Sequence, residues 1–200
     1  MIELLVVMGI LLVIMGAVYG VWLGLSRTYA FTEEDMSAQT QSRAAMAEMV
    51  EYIRTARQPL SVGEEGYDTV IPEAGPFSLT LWTDTNRDGS HTLQLIRFRV
   101  SPDPLVSHPA GTRFELLREQ GDASACSFVG AIPVRLVTSN VANDSSLNPL
   151  FTYLDALGQP TADPEQIRQI VINLCIDVDP TTSPVVNVLR TVVQPRNLRQ

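Results

Sequence analysis

Lysine is absent from these 200 residues, so all 14 basic side chains are arginines. Covalent joining of subunits through lysine amines is therefore excluded, and any assembly of this chain is noncovalent. Histidine is nearly absent too. The two present are His91, beside a turn-forming stretch, and His108, between Ser107 and Pro109; neither has metal-ligand spacing or a nucleophile motif around it, so an enzyme has little to build on. A basic surplus is also missing. With 22 acidic residues the formal net charge is −8, which argues against a nucleic-acid module, because phosphate binding needs a concentrated basic surface. The one basic stripe, Arg97-Phe98-Arg99, sits in the alternating segment Leu95–Val100 and is expected to be a solvated strand face. The paired acids Glu64-Glu65 and Asp177/Asp179 are likewise expected in solvent.

What the chain does have is a long uncharged run. From Leu4 to Leu25 there is no charged residue, and at ~1.5 Å per residue a helix of that length spans the hydrocarbon core of a bilayer. Arg27 and then Glu33-Glu34-Asp35 follow it, and Tyr19, Trp22 and Tyr29 lie towards that end, where amphipathic rings favour the interface. A secretory signal peptide has a shorter apolar region, a basic start and a small-residue cleavage site. None of these is present, so the run is expected to stay on the mature protein as a single-pass anchor in membrane lipid.

One carboxylate, Glu3, stands ahead of the run. In a first helical turn it complements the positive end of the helix dipole. The whole string Ile2-Glu3-Leu4-Leu5-Val6-Val7-Met8-Gly9-Ile10-Leu11 resembles the N-terminal helix of type IV pilins and pseudopilins. That resemblance implies a membrane-stored subunit whose Glu3 pairs with the N-terminal amine of a neighbouring pilin or pseudopilin during assembly. It also implies a prepilin peptidase that cuts behind a leader, after which the new amine is methylated. Here Met1 stands where the family has leucine, and the family's basic leader, glycine and Phe-Thr are expected to lie upstream of a misplaced start. The reading in a different class is a single-pass membrane protein that never polymerises and binds a ligand through its outer domain.

Gly16, Gly20 and Gly24 fall four residues apart, with Gly9 seven before Gly16. In lipid, rows of small residues let helices approach closely, so these four are the candidate helix-packing residues. Each glycine also weakens the helix by ~1 kcal/mol relative to alanine, which makes the stretch from Gly16 to Gly24 the place to unwind when subunits leave the bilayer.

Beyond Arg27 the pattern becomes amphipathic. Ala38, Ala45, Met46, Met49, Val50, Ile53 and Ala56 recur at three- and four-residue steps, predicting one buried face. The helix is expected to run to about Arg57, where Gln58-Pro59 stops it. The expected organisation is thus a span over 1–27, an amphipathic continuation over 28–58 and a β-rich domain outside the cytoplasm over 59–200, an α+β fold with the helix packed on an antiparallel sheet. Phe77–Trp82 and Thr92–Val100 predict a hairpin around Asp84–Gly89; later strands are expected at 112–118, 133–138, 150–154, 167–178 and 185–193. The order of these last elements resembles the larger minor pilins and J-type pseudopilins.

Two further features invite ligands. Asp84, Asn86 and Asp88 followed by Gly89 match the first half of a calcium loop, but Leu95 occupies the position of the bidentate acid, so half the ligand set is missing. No other cofactor is expected. Cys126 and Cys175 are expected outside the cytoplasm, where thiols tend to oxidise; a disulfide closing about 50 residues would contribute roughly 4 kcal/mol in the chain-entropy model. Cys126 lies in a polar loop, and alternation puts Cys175 with Asn173 and Asp177, so both are expected to be reachable from the surface.

Overall fold

The computed structural model describes residues 2–59, 69–84, 93–108, 111–122, 127–129, 133–143, 148–178 and 186–196. Its first element, α1, runs unbroken from Ile2 to Arg54, about 80 Å at ~1.5 Å per residue. The helix ends three residues before the expected Arg57, and ahead of the proline. Ala56 leaves the helix to bridge Thr83, and the Arg57 amide donates to the Trp82 carbonyl (2.9 Å). Capture of the chain by a neighbouring strand therefore ends the helix, before Pro59 can.

The rest is antiparallel sheet: β1 (Glu73–Ala74), β2 (Ser78–Thr83), β3 (Gln94–Val100), β4 (Val106–His108), β5 (Gly111–Gln120), β6 (Val134–Val141), β7 (Phe151–Leu154), β8 (Gln169–Ile176) and β9 (Asn187–Val193). The order is β1-β2-β3-β5-β6-β8-β7, with β4 on the start of β5 and β9 on β8. The expected hairpin is β2–β3, with Leu81 opposite Ile96 and Leu79 opposite Phe98. The short strands β1 and β4 were not legible in the pattern.

β5 buries Arg113, Leu116 and Glu119 because both of its faces are partly covered: Leu116, opposite Val100, joins the core cluster, whereas Glu119, opposite Arg97, and Arg113, paired with Asp177, are covered on the other face. β6 carries the irregularity, since the partners of Phe114, Leu116 and Leu117 step from Val141 to Thr138 to Leu136. Extra residues in one strand bend that strand and increase its local twist. Asn140, at φ 59°, takes the left-handed conformation at this irregularity, one that asparagine tolerates better than most residues.

The core is a single layer between the C-terminal half of α1 and one sheet face. Ala38, Ser42, Ala45, Met46, Met49 and Ile53 are the helix's buried stripe, and its apolar members pack in one cluster with Leu79, Leu81, Phe98, Leu174 and Ile176. Val50, expected in the stripe, is half-buried at its margin. Tyr52 meets Phe98 edge to face at 5.6 Å.

Candidate functional site

The first half of α1 is the part of the molecule that its own fold leaves unfinished. No residue from 2 to 37 is buried, so about 54 Å of helix projects before the first buried residue, Ala38, at ~1.5 Å per residue. Leu12 is 71% exposed and Val13 73% exposed. The helix is long and apolar enough to cross a membrane. Tyr19 and Trp22 stack at 6.1 Å one turn apart, and Thr28 and Thr32 return their hydroxyls to the carbonyls of Gly24 and Thr28 (3.0 and 2.8 Å). Those internal bonds satisfy polar side chains where the apolar surface ends.

The four glycines lie on this half, and a Cβ built on Gly9, Gly16, Gly20 or Gly24 would meet nothing within 4 Å. At ~100° per residue they share an arc of roughly 80°. Among the described residues nothing requires glycine at any of them, in contrast to Gly121, whose Cβ would strike the Ser127 carbonyl oxygen at 2.8 Å. Glu3 lies exposed in the first helical turn and has no partner among the described residues. The helix is continuous through Gly16–Gly24.

A projecting lever is useful only if its mount is stiff. Glu48 of α1 accepts from Arg118 Nη1 (2.8 Å) on β5 and lies 3.8 Å from Arg135 on β6. Arg118 also donates to the Tyr52 hydroxyl, its guanidinium 5.0 Å from that ring's centroid. Ser42 donates to the Asn187 side-chain oxygen on β9 (3.2 Å). Apolar burial supplies the strength of this joint; the polar contacts to three strands fix the rotation of the helix about its axis.

Three expectations about the sheet's far face are corrected. Arg97 and Arg99 are not a free solvated pair: both donate to Glu119 at 2.7 Å, and Glu119 is 2% exposed. Phe128 lies 4.1 Å from the Arg97 guanidinium, which partly shields the group from water. Asp177 is buried, not solvated, and is paired with Arg113, which also donates to the Asp177 carbonyl (3.1 Å). Cys175 does share its face with Asn173 and Asp177, but it is buried, with Asn143 at its amide and Asn148 at its thiol. There Asn143 does the work of a strand residue. Its side chain accepts from the Cys175 amide (2.9 Å) and donates to the Asn173 carbonyl (2.7 Å), filling the gap along β8 between β6 and β7.

Tyr153 is a further residue whose role sequence did not disclose. Its hydroxyl donates to the Gly75 carbonyl (2.8 Å), with the Ser78 carbonyl at 3.1 Å, and so ties β7 to the β1–β2 turn. Burial, reinforced by the nearby Glu73 carboxylate, pushes this phenol well above the ordinary tyrosine range. The pairing partners of all these groups lie far away in sequence, and no local signal pointed to them.

Of the candidate calcium ligands, Asp84 is described, its carboxylate 3.8 Å from Arg57; Asn86 and Asp88 lie outside the described residues. Cys126 and His91 do as well. Among the described residues no three metal-ligating side chains converge. No model of a known protein family matches the chain, and no curated protein does.

Proposed function

We propose that this chain is a noncatalytic minor pilin or pseudopilin, held in a membrane by Leu4–Leu25 and assembled through the same helix into a type IV pilus or type II secretion pseudopilus. The observation that carries this reading is the pairing of an apolar helical stretch with no buried residue and a row of glycines that no contact among the described residues requires. A lipid-facing anchor has no need of such a row, whereas close packing of parallel helices does. The rigid mount supports it, since a filament subunit must transmit force from its helix to its domain.

In this reading Glu3 is the assembly contact, a lone carboxylate among apolar residues that gains from a cationic partner such as a neighbouring N-terminal amine. The β-sheet domain, outside the cytoplasm, caps the tip, initiates assembly or touches cargo. Expression of Glu3→Ala and Glu3→Gln in the native host, with filaments or secreted substrate measured alongside membrane-inserted subunit, tests the proposal. Loss of assembly at unchanged subunit level supports it; unimpaired filaments and secretion overturn it in favour of a non-polymerising membrane protein.

A further inference from the structure

The two ends of the sheet are finished differently. At one end β1 is two residues long, and its Glu73 carboxylate accepts from Ser78 and Thr80. Short length and charge are among the usual means of blunting an exposed edge. At the other end β9 pairs with β8 through all seven residues, Asn187 to Val193, without a bulge. It contains no proline, and its only charge is Arg190. Among the described residues no strand pairs with its outer edge.

The register tells which backbone groups that edge presents. In an antiparallel ladder a residue turns its N–H and C=O to the same side, and successive residues alternate. Asn173 gives its N–H to Leu150 and its C=O to Asn143, and Cys175 bonds Asn143 and Ala142. Both therefore face away from β9, and Ile172, Leu174 and Ile176 bond it through Thr191, Leu189 and Asn187. The remaining residues, Val188, Arg190 and Val192, turn their N–H and C=O outward. Their side chains share one face as well, with Val188 57% and Val192 52% exposed, and Arg190 has no acidic partner among the described residues.

We infer that β9 is a docking edge for an extended segment of another protein, one carrying an acidic residue between two apolar residues at alternate positions. Main-chain bonds to Val188, Arg190 and Val192 supply the affinity, as in other strand-addition complexes. Charge complementarity with Arg190 supplies the choice of partner, because opposite charges directly across a ladder attract and like charges repel. The inference stands apart from the proposed filament role, since it uses neither Glu3 nor the projecting helix.

The test uses the full chain in detergent micelles at low salt and fluorescein-labelled acetyl-TVTETVT-amide as probe, read by fluorescence anisotropy. Saturable binding is expected, about fivefold tighter than for acetyl-TVTKTVT-amide. Methylation of the central glutamate's nitrogen, and separately Val188→Pro, should each weaken binding by at least about tenfold, because each removes a main-chain donor at the new ladder. Arg190→Glu should reverse the order of the two peptides. Equal binding of acidic and basic peptides, full binding of the methylated peptide, or an order unchanged by Arg190→Glu would each overturn the inference, the last two without relying on a proline variant to fold.

Discussion

The two halves of α1 share one continuous backbone and meet opposite fates. From Ala38 onward apolar residues recur at helical spacing, and a single sheet face buries the stripe they form. From Leu4 to Leu25 they cover the whole circumference, and none is buried. One sheet can cover one face of a helix, so a helix apolar on all sides cannot be completed by its own domain and needs lipid or other helices. More hydrophobicity has led here to less burial, and periodicity rather than the amount of apolar surface decides which half folds inward.

The comparison breaks if equal truncations in the two halves cost the same. Met49 is fully buried, and Met49→Ala should lower the stability of the domain by about 2–5 kcal/mol through lost transfer energy and a residual cavity. Leu12→Ala, at an exposed site, should leave it unchanged. Urea unfolding of the full chain in micelles, followed by near-ultraviolet circular dichroism, measures both.

A second probe asks how far the docked half depends on the sheet's own closure. Asn143→Ala removes the acceptor of the buried Cys175 amide and the donor to the Asn173 carbonyl. A buried donor left unsatisfied costs about 1–3 kcal/mol. Amide exchange should show faster opening of Cys175 at the gap between β6 and β7, with little change at the β2–β3 hairpin.

This probe also marks the limit of what the sequence disclosed. The apolar run, the amphipathic stripe through Met49 and Ile53, and the β2–β3 hairpin are local patterns, and each was legible. So was the face on which Cys175 lies. Its burial was not, because the groups against it, Asn143 at its amide and Asn148 at its thiol, are 32 and 27 residues away and look like any loop asparagines. The Arg97/Arg99 pair and Asp177 misled for the same reason: alternation assigns a face, but the partners that pair with them, Glu119 and Arg113, lie on another strand. In the projecting half the glycine spacing was legible, and the structure adds that no contact among the described residues accounts for it.

Tyr153→Phe should cost about 1 kcal/mol at neutral pH, the usual worth of one hydrogen bond. The sign of its pH dependence follows from a phenol whose pKa is raised in the folded state. Above about pH 10 the unfolded tyrosine loses its proton while the folded one keeps it, so the unfolded state binds fewer protons and stability falls as pH rises. Wild type should therefore lose up to ~1.4 kcal/mol per pH unit from this group, while Tyr153→Phe does not. The gap between the two proteins should close between about pH 10 and 11, measured by urea titration at each pH.

The smallest expected effect is the sharpest test of the difference between the halves. Gly20→Ala introduces a methyl group that meets nothing within 4 Å and raises intrinsic helix propensity by ~1 kcal/mol. In the isolated chain the unfolding of the sheet domain should not change, and helicity measured by circular dichroism should hold or rise. The same methyl group in the projecting half of an assembled subunit would stand between closely approaching helices. Gly20→Ala and the bulkier Gly20→Leu should therefore leave the monomer intact while lowering assembly in that order. A domain destabilised by Gly20→Ala would mean that the first half of α1 does pack within its own chain; unaltered assembly with leucine at this position would leave the glycine row without the role its open surroundings suggest.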